Sequence, residues 1–166
     1  MTYLTVSLAK SHRKKEFSCG VDLLDIYLHK QAGQDIRRKL AACFVLEDQP
    51  GSIGAYYTLS NTGIPLDSVP ESHRKNLPGS YSAIPATLIG RLAVDKKYQG
   101  KGKGKLMLVD ALKRSYEASL KIGSFAVVVD PINQDAEEFY STFGFIKLPD
   151  SGKMFLPMKT VEKLFV

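Results

Sequence analysis

The sequence predicts an α/β fold, a mixed α+β sheet with a central pair of parallel strands, in a single domain spanning residues 1–166. Three observations carry that prediction. Residues 86–95 (ATLIGRLAVD) and 123–129 (GSFAVVV) are strong strand runs, and the amphipathic stretch 105–119 lies between them. A strand–helix–strand unit of this kind implies parallel pairing. Ahead of it, residues 40–46 (LAACFVL) and 53–60 (IGAYYTLS) flank the turn Asp48-Gln49-Pro50-Gly51 and read as a hairpin.

The other elements follow in order. Residues 2–8 (TYLTVSL) alternate and are rich in β-branched types, which predicts a first strand. After the basic loop His12-Arg13-Lys14-Lys15, the positions Leu24, Tyr27, Leu28 and Gln31–Ala32 keep helical spacing. Asp22 stands in the first turn of that helix, where a carboxylate suits the dipole. The helix continues or breaks near Gly33, and residues 36–39 (IRRK) form a second basic cluster. Residues 61–85 carry Pro65, Pro70, Pro78 and Pro85 and little pattern. They read as a long functional loop with short helices near 66–69 and 71–75. On 105–119, Leu108, Ala111, Leu112 and Tyr116 make one face and Asp110, Lys113, Arg114 and Glu117 the other. Residues 134–142 predict a short helix that buries Phe139 and Phe143. Phe145–Leu148 and Met154–Leu156 predict two short strands, and 159–164 a helical tail.

Composition bounds the function. The 23 Lys and Arg residues outnumber the 17 Asp and Glu, for a net charge of +6, which favours polyanionic partners and also serves solubility. An apolar share of 44% with 24% charged residues excludes a disordered tail, a fibrous repeat or a disulfide scaffold. Cys19 and Cys43 make no framework, and no Cys/His spacing suggests a metal site, so a reducing cytoplasm is the expected compartment. The N-terminal stretch lacks the apolar run of a secretory signal, and no window approaches a membrane span.

The chemistry concentrates in residues 91–105. Gly100, Gly102 and Gly104 alternate with Lys101, Lys103 and Lys105 between a strong strand and a helix. Glycines let the chain turn tightly with its N–H groups unshielded. The helix that follows adds unpaired N–H groups and a partial positive charge, and the lysines add full charges. The combination suits a diphosphate. It is neither a P-loop nor a dinucleotide fingerprint, because neither spacing occurs.

This stretch resembles the phosphate loop of the GNAT family of N-acetyltransferases, Gln/Arg-x-x-Gly-x-Gly/Ala, which is met by Gln99, Gly102 and Gly104. Downstream, Asn133-x-x-Ala136-x-x-Phe139-Tyr140-x-x-x-Gly144-Phe145 resembles the family's second signature. The resemblance implies the acyl-CoA N-acyltransferase fold, with a splayed pair of parallel strands and acetyl-CoA as co-substrate. It assigns cofactor binding to Leu92, Ala93 and Val94 through their backbone, to Gln99, to Gly100–Lys105 and to Asn133, with no metal. It places Tyr140 where the family commonly has its general acid. A phenol of pKa ~10 stays protonated at neutral pH and can donate to a departing thiolate.

No base stands out beside Tyr140. A lysine amine of pKa ~10.4 must lose a proton before attack, whereas an α-amine near 8 is largely neutral already. A site without a base therefore favours an α-amine, and aminoacyl-tRNA presents one on a polyanion. Arg37, Arg38, Arg91 and Lys96 are the candidate contacts to that RNA. Arg91 shares a strand face with Ala93, close to the reaction centre.

The wider pattern is similar to the toxin branch of that family, the tRNA-acetylating toxins of type II toxin–antitoxin systems. It rests on Leu24-Asp25-x-Tyr27-Leu28, Ala55-Tyr56-Tyr57-Thr58-Leu59-Ser60, Gly90-Arg91-Leu92-Ala93-Val94-Asp95 and Phe155-Leu156-Pro157-Met158. The resemblance implies acetylation of aminoacyl-tRNA and inhibition of translation. It also implies neutralisation by a ribbon–helix–helix antitoxin that carries the complex to operator DNA as a repressor. A homodimer fits the small area one active site offers a tRNA. Two rival readings stand beside it. One is an acetyltransferase for a small amine or a protein N-terminus, and the other is a non-catalytic binding module.

Overall fold

A computed structural model describes residues 2–166. The strands are β1 (Val6–Ser7), β2 (Ala42–Glu47), β3 (Ile53–Pro65), β4 (Ala83–Val94), β5 (Ala126–Val129), β6 (Ile146–Lys147) and β7 (Met154–Pro157). They form a seven-stranded mixed sheet in the order β1-β2-β3-β4-β5-β7-β6. The helices are α1 (Asp22–Ile26), α2 (Ala32–Arg37), α3 (Glu71–Arg74), α4 (Lys103–Ser119), α5 (Gln134–Ser141) and α6 (Met158–Glu162). The predicted α/β class is the one formed.

The chain divides into two compact units, each discontinuous in sequence. The first runs to Ser60 and adds Gly90–Leu112; the second takes Asn61–Ile89 and Lys113–Val166.

In the first unit, β2 pairs antiparallel with β3 from Ala42 opposite Leu59 onward, with a bulge between Leu46 and Glu47, as a hairpin requires. β1 pairs with β2 through Val6 and Ser7 alone, not over the expected 2–8. The reason is a competing partner. Asp110, buried on α4, accepts hydrogen bonds from the Leu4 N–H at 2.7 Å, the Thr5 hydroxyl at 2.6 Å and the Tyr57 hydroxyl at 2.7 Å. A buried carboxylate needs such donors, and it takes Leu4 and Thr5 away from the strand.

The helix expected from residue 21 does not break at Gly33. It passes from α1 through a π-helical turn, Tyr27–Gln31, into α2. The wider turn puts Tyr27, Leu28 and Ala32 on the buried side, where they pack with Phe17, Cys43, Val45 and Tyr56. The helix then stops on Lys39, which takes φ +61°. The Leu40 N–H reaches the Asp35 carbonyl at 2.9 Å and the Lys39 N–H the Ile36 carbonyl at 3.1 Å, a Schellman closure.

In the second unit, Thr87–Ile89 of β4 pair in parallel with Val127–Val129 of β5, as the crossover predicts. β5 pairs antiparallel with β7, and β7 with β6. Ile64, Val69, Ala86, Ala126, Val128, Leu148 and Phe155 fill the core. The stretch 61–85 is not the long loop its prolines suggest. β3 extends to Pro65, a strand end where a missing N–H costs nothing, and a 3-10 turn at Leu66–Ser68 precedes α3. Residues 75–82 are the irregular remainder.

Candidate active site

β4 carries the site's first component. Past Ile89, the last of its pairs with β5, it continues from Gly90 to Val94. Ala93 of this extension is buried, while Leu92 and Val94 are half-buried. β5 stops at Val129 while β4 runs on, as expected of a parallel pair that parts at its carboxyl ends.

The turn after β4 is braced against the chain ahead of α1. Asp95 is buried; its carboxylate accepts from the Lys97 N–H and the Ser18 N–H, both at 3.0 Å. The Lys96 N–H donates to the Ser18 carbonyl at 2.9 Å. The Gln99 side-chain amide donates to the Cys19 carbonyl at 2.7 Å and to that of Val94 at 2.8 Å. Gln99 thus spends its amide on the stem of the turn. Asp95 shares this bracing, and sequence reasoning missed it because its key partner, Ser18, is 77 residues away.

Beyond the stem the turn is open. Gly100 and Gly102 take φ +79° and +78°, and a methyl group added to either would meet nothing within 4 Å. The Leu106 N–H bonds the Gly102 carbonyl at 3.3 Å, so α4 starts there and the N–H groups of Lys103, Gly104 and Lys105 have no acceptor within the helix. No acidic residue stands in that first turn. Lys101 and Lys105 are exposed; Lys103 lines a cavity of about 240 Å³ with Tyr98, Gly54 and Asp48. Free amides, a helix dipole and three lysines make a cradle for a diphosphate; the first turn of α4 carries no acid, and Glu47 and Asp48 line the cavity on the Lys103 side.

The cationic candidates divide by role. The Arg91 guanidinium lies 3.6 Å above the Tyr27 ring, whose hydroxyl donates to Asp35 at 2.8 Å. Arg37 and Arg38 are exposed at the end of α2, and Lys96 is exposed in the turn after β4. Tyr27 is a neighbour of Arg91 that the sequence reading placed on an apolar helix face and in the Leu24–Leu28 motif, without a role at the site.

Tyr140 and Asn133 belong to the second unit. Asn133 is the N-cap of α5, its side-chain oxygen accepting the Ala136 N–H at 2.8 Å, so that oxygen is committed to the helix. The expectation that α5 buries Phe139 and Phe143 is corrected. Both are half-exposed, and Tyr140 is the buried ring, edge-on to Phe139 at 5.3 Å and to Phe145 at 5.4 Å. Phe145 reaches it because the chain doubles back at Gly144, and the Phe145 N–H bonds the Tyr140 carbonyl. Burial alone pushes the Tyr140 phenol up to about 12. Its hydroxyl therefore remains a donor across the neutral range. Among the described residues, no group of His, Cys, Asp or Glu is placed to hold a metal ion, and no helix is long and apolar enough to cross a membrane.

Comparison with known proteins bears on this geometry. Residues 39–147 match the model of the acetyltransferase (GNAT) domain. A tRNA-acetylating toxin of Mycobacterium tuberculosis (strain ATCC 25618 / H37Rv) is 34% identical over 149 residues, 89% of this chain and 87% of that protein. Among solved structures, AtaT complexed with acetyl-methionyl-tRNAfMet is 28% identical with a TM-score of 0.90, covering 99% of this chain and 100% of that one. A mutant AtaT toxin bound to the C-terminus of the antitoxin AtaR and acetyl-CoA is 26% identical with a TM-score of 0.81, covering 98% and 97%. The AtaT–AtaR complex bound to DNA is 28% identical with a TM-score of 0.78, covering 100% of both chains. With the diphosphate cradle after β4 and the family match across it, this chain belongs to the GNAT family of acetyltransferases.

Proposed function

We propose that this chain is the toxin of a type II toxin–antitoxin system. It transfers the acetyl group of acetyl-CoA to the α-amine of an aminoacyl-tRNA and so blocks translation. The observation that carries the reading is the open, acid-free turn Gly100–Lys105 on a chain 34% identical to a tRNA-acetylating toxin.

The residues present fit acetyl-CoA. The turn is clear of side chains where a diphosphate must approach, and its amides and lysines carry the complementary charge. Gly100, Lys101, Gly102, Lys103, Gly104 and Lys105 would hold the diphosphate. The backbone of Leu92, Ala93 and Val94 would pair with the pantetheine amides, satisfying groups beyond the reach of β5. Gln99 and Asn133 shape the turn and the helix that make these contacts. When bound, acetyl-CoA supplies a thioester whose acyl carbon is open to an amine. Tyr140 holds its phenolic proton for the sulfur that leaves as the new C–N bond forms. The ester-linked α-amine, with a pKa below about 8, reaches its neutral form without a dedicated base. Arg91, seated on the Tyr27 ring, together with Arg37, Arg38 and Lys96, binds the RNA backbone.

The whole chain works as one acetyltransferase domain in this reading, because β3, β4 and α4 each contribute residues to both compact units. Its partners are aminoacyl-tRNA, a second copy of itself and a ribbon–helix–helix antitoxin that brings the complex to operator DNA. The similar AtaT is solved with acetyl-methionyl-tRNA, with AtaR and with DNA, which supports those classes of partner. The expected compartment is the cytoplasm, where charged tRNA is found.

Incubating the protein with labelled acetyl-CoA and charged tRNA tests the reading. The expected product is N-acetyl-aminoacyl-tRNA. Turnover of free amines or peptide N-termini with tRNA inert would replace it with the small-amine reading.

A further inference from the structure

Gly33 sits in α2, and two cations from different elements converge on it. The place its missing Cβ would occupy is 3.4 Å from Arg37 Nη1 and 3.4 Å from Lys14 Nζ. Arg37 comes from the last turn of α2, while Lys14 opens a 3-10 turn, Lys14–Glu16, on a separate stretch of chain. The two nitrogens are therefore at most twice 3.4 Å apart, within reach of one phosphate group accepting a hydrogen bond from each side.

Neither cation has an acidic partner among the described residues. Glu16 is taken by Arg13 at 3.3 Å, Asp35 by the Tyr27 hydroxyl at 2.8 Å, and Glu47 by His12 at 3.2 Å. Like charges held this close repel, and an anion between them relieves the repulsion. The surroundings extend the same sign. Arg38 and Lys39 are exposed beside Arg37, and Arg91 and Lys14 both act on the buried Cys43 thiol, opposing the burial that raises its pKa. A run of cations of one sign suits a polyanion better than a single acidic side chain.

We propose that Lys14 and Arg37 form one phosphate-binding site over Gly33, which takes a backbone phosphodiester of the tRNA substrate. A phosphodiester has one charge and two free oxygens, one for the ammonium and one for the guanidinium. Gly33 is the floor, since a Cβ there would stand 3.4 Å from each of the two nitrogens. The inference rests on the tRNA reading above and adds Lys14 and Gly33 to it.

The test is a salt series of binding to a charged tRNA pool with the full-length protein, Lys14→Gln, Arg37→Gln and the double variant. A single shared phosphate predicts that log K against log salt flattens by about one unit in either single variant. It predicts about one unit, not two, in the double. Unchanged slopes, or slopes that add, overturn the site. Absence of tRNA binding by the unaltered protein overturns the tRNA reading as well, which separates the two failures. Calorimetry with acetyl-CoA should give equal affinities for all four proteins. A loss there that dephospho-acetyl-CoA does not show would reassign the cations to the cofactor's ribose phosphate and overturn the proposal. So would weakened antitoxin binding with tRNA binding intact.

Discussion

The guanidinium of Arg91 lies 3.6 Å over the ring of Tyr27, and Asp35 anchors that ring by its hydroxyl at 2.8 Å. A cation seated on a buried, anchored ring gains both packing and electrostatic attraction from it. Tyr27→Phe keeps the platform and loses the anchor. The expected cost is about 1 kcal/mol of stability, read from urea midpoints, with Km for aminoacyl-tRNA nearly unchanged. Arg91→Lys keeps the charge but loses the guanidinium's contact with the ring; Km for aminoacyl-tRNA should rise while acetyl-CoA affinity holds.

Tyr140→Phe removes one oxygen and keeps the ring edge-on to Phe139 and Phe145. Transfer should fall by about 10²–10⁴-fold, the usual contribution of a general acid. Acetyl-CoA affinity, measured by calorimetry, should persist. Loss of affinity along with turnover would assign the residue to packing.

Gly102→Ala separates folding from binding. At φ +78° an alanine is strained by about 1–2 kcal/mol. Its methyl group meets no protein atom within 4 Å, so the fold should survive. The methyl would stand in the open space of the cradle, so acetyl-CoA affinity should drop at least tenfold in the same calorimetric titration.

Stability should fall on the alkaline side. Burial pushes the Cys19 thiol up to about 11, and the Cys43 thiol and Tyr140 phenol up to about 12. Each raised value means that the folded state holds its proton where the unfolded chain has lost it. The contribution is complete below the unfolded values of about 9 for a thiol and 10 for a phenol. It is lost as pH climbs to 11–12. Urea midpoints should be level up to about pH 8.5 and then decline, and Cys43→Ala should delay the decline.

Lys39 closes the helical run in the left-handed region, at φ +61°. Glycine takes that conformation without the Cβ penalty, so Lys39→Gly should raise stability by up to about 1 kcal/mol in thermal unfolding. A lower melting temperature would mean that the lysine side chain contributes more than its backbone costs.

What the sequence made legible was local. The cradle could be read because glycine, lysine, strand exit and helix start all lie within fifteen consecutive residues. The parallel pair could be read because one helix separates two apolar runs. Features built from distant chain were hidden. Lys14 and Arg37 converge over Gly33 from separate stretches of chain, on a helical run that carries a π turn at Tyr27–Gln31. Periodicity assumes a uniform 3.6 residues per turn and cannot show that insertion. The sequence reading buried Phe139 and Phe143 and turned Tyr140 partly away from them as the catalytic acid. The reversal at Gly144, which returns Phe145 onto it, makes it the buried one. Prolines concealed the order in 61–85, since they mark strand ends as readily as loops.

Ser18 and Cys19 join two parts of the first unit. They bond to Asp95, Lys96 and Gln99 on one side, and the neighbouring Phe17 carbonyl meets the His29 ring on the helical run at 2.8 Å. These bonds give a ligand that orders the turn after β4 a route to the helical run that carries Arg37. Thermodynamic reciprocity requires that any coupling carried this way change both affinities by the same factor. Acetyl-CoA and charged RNA should load cooperatively, and Asp95→Asn should uncouple them.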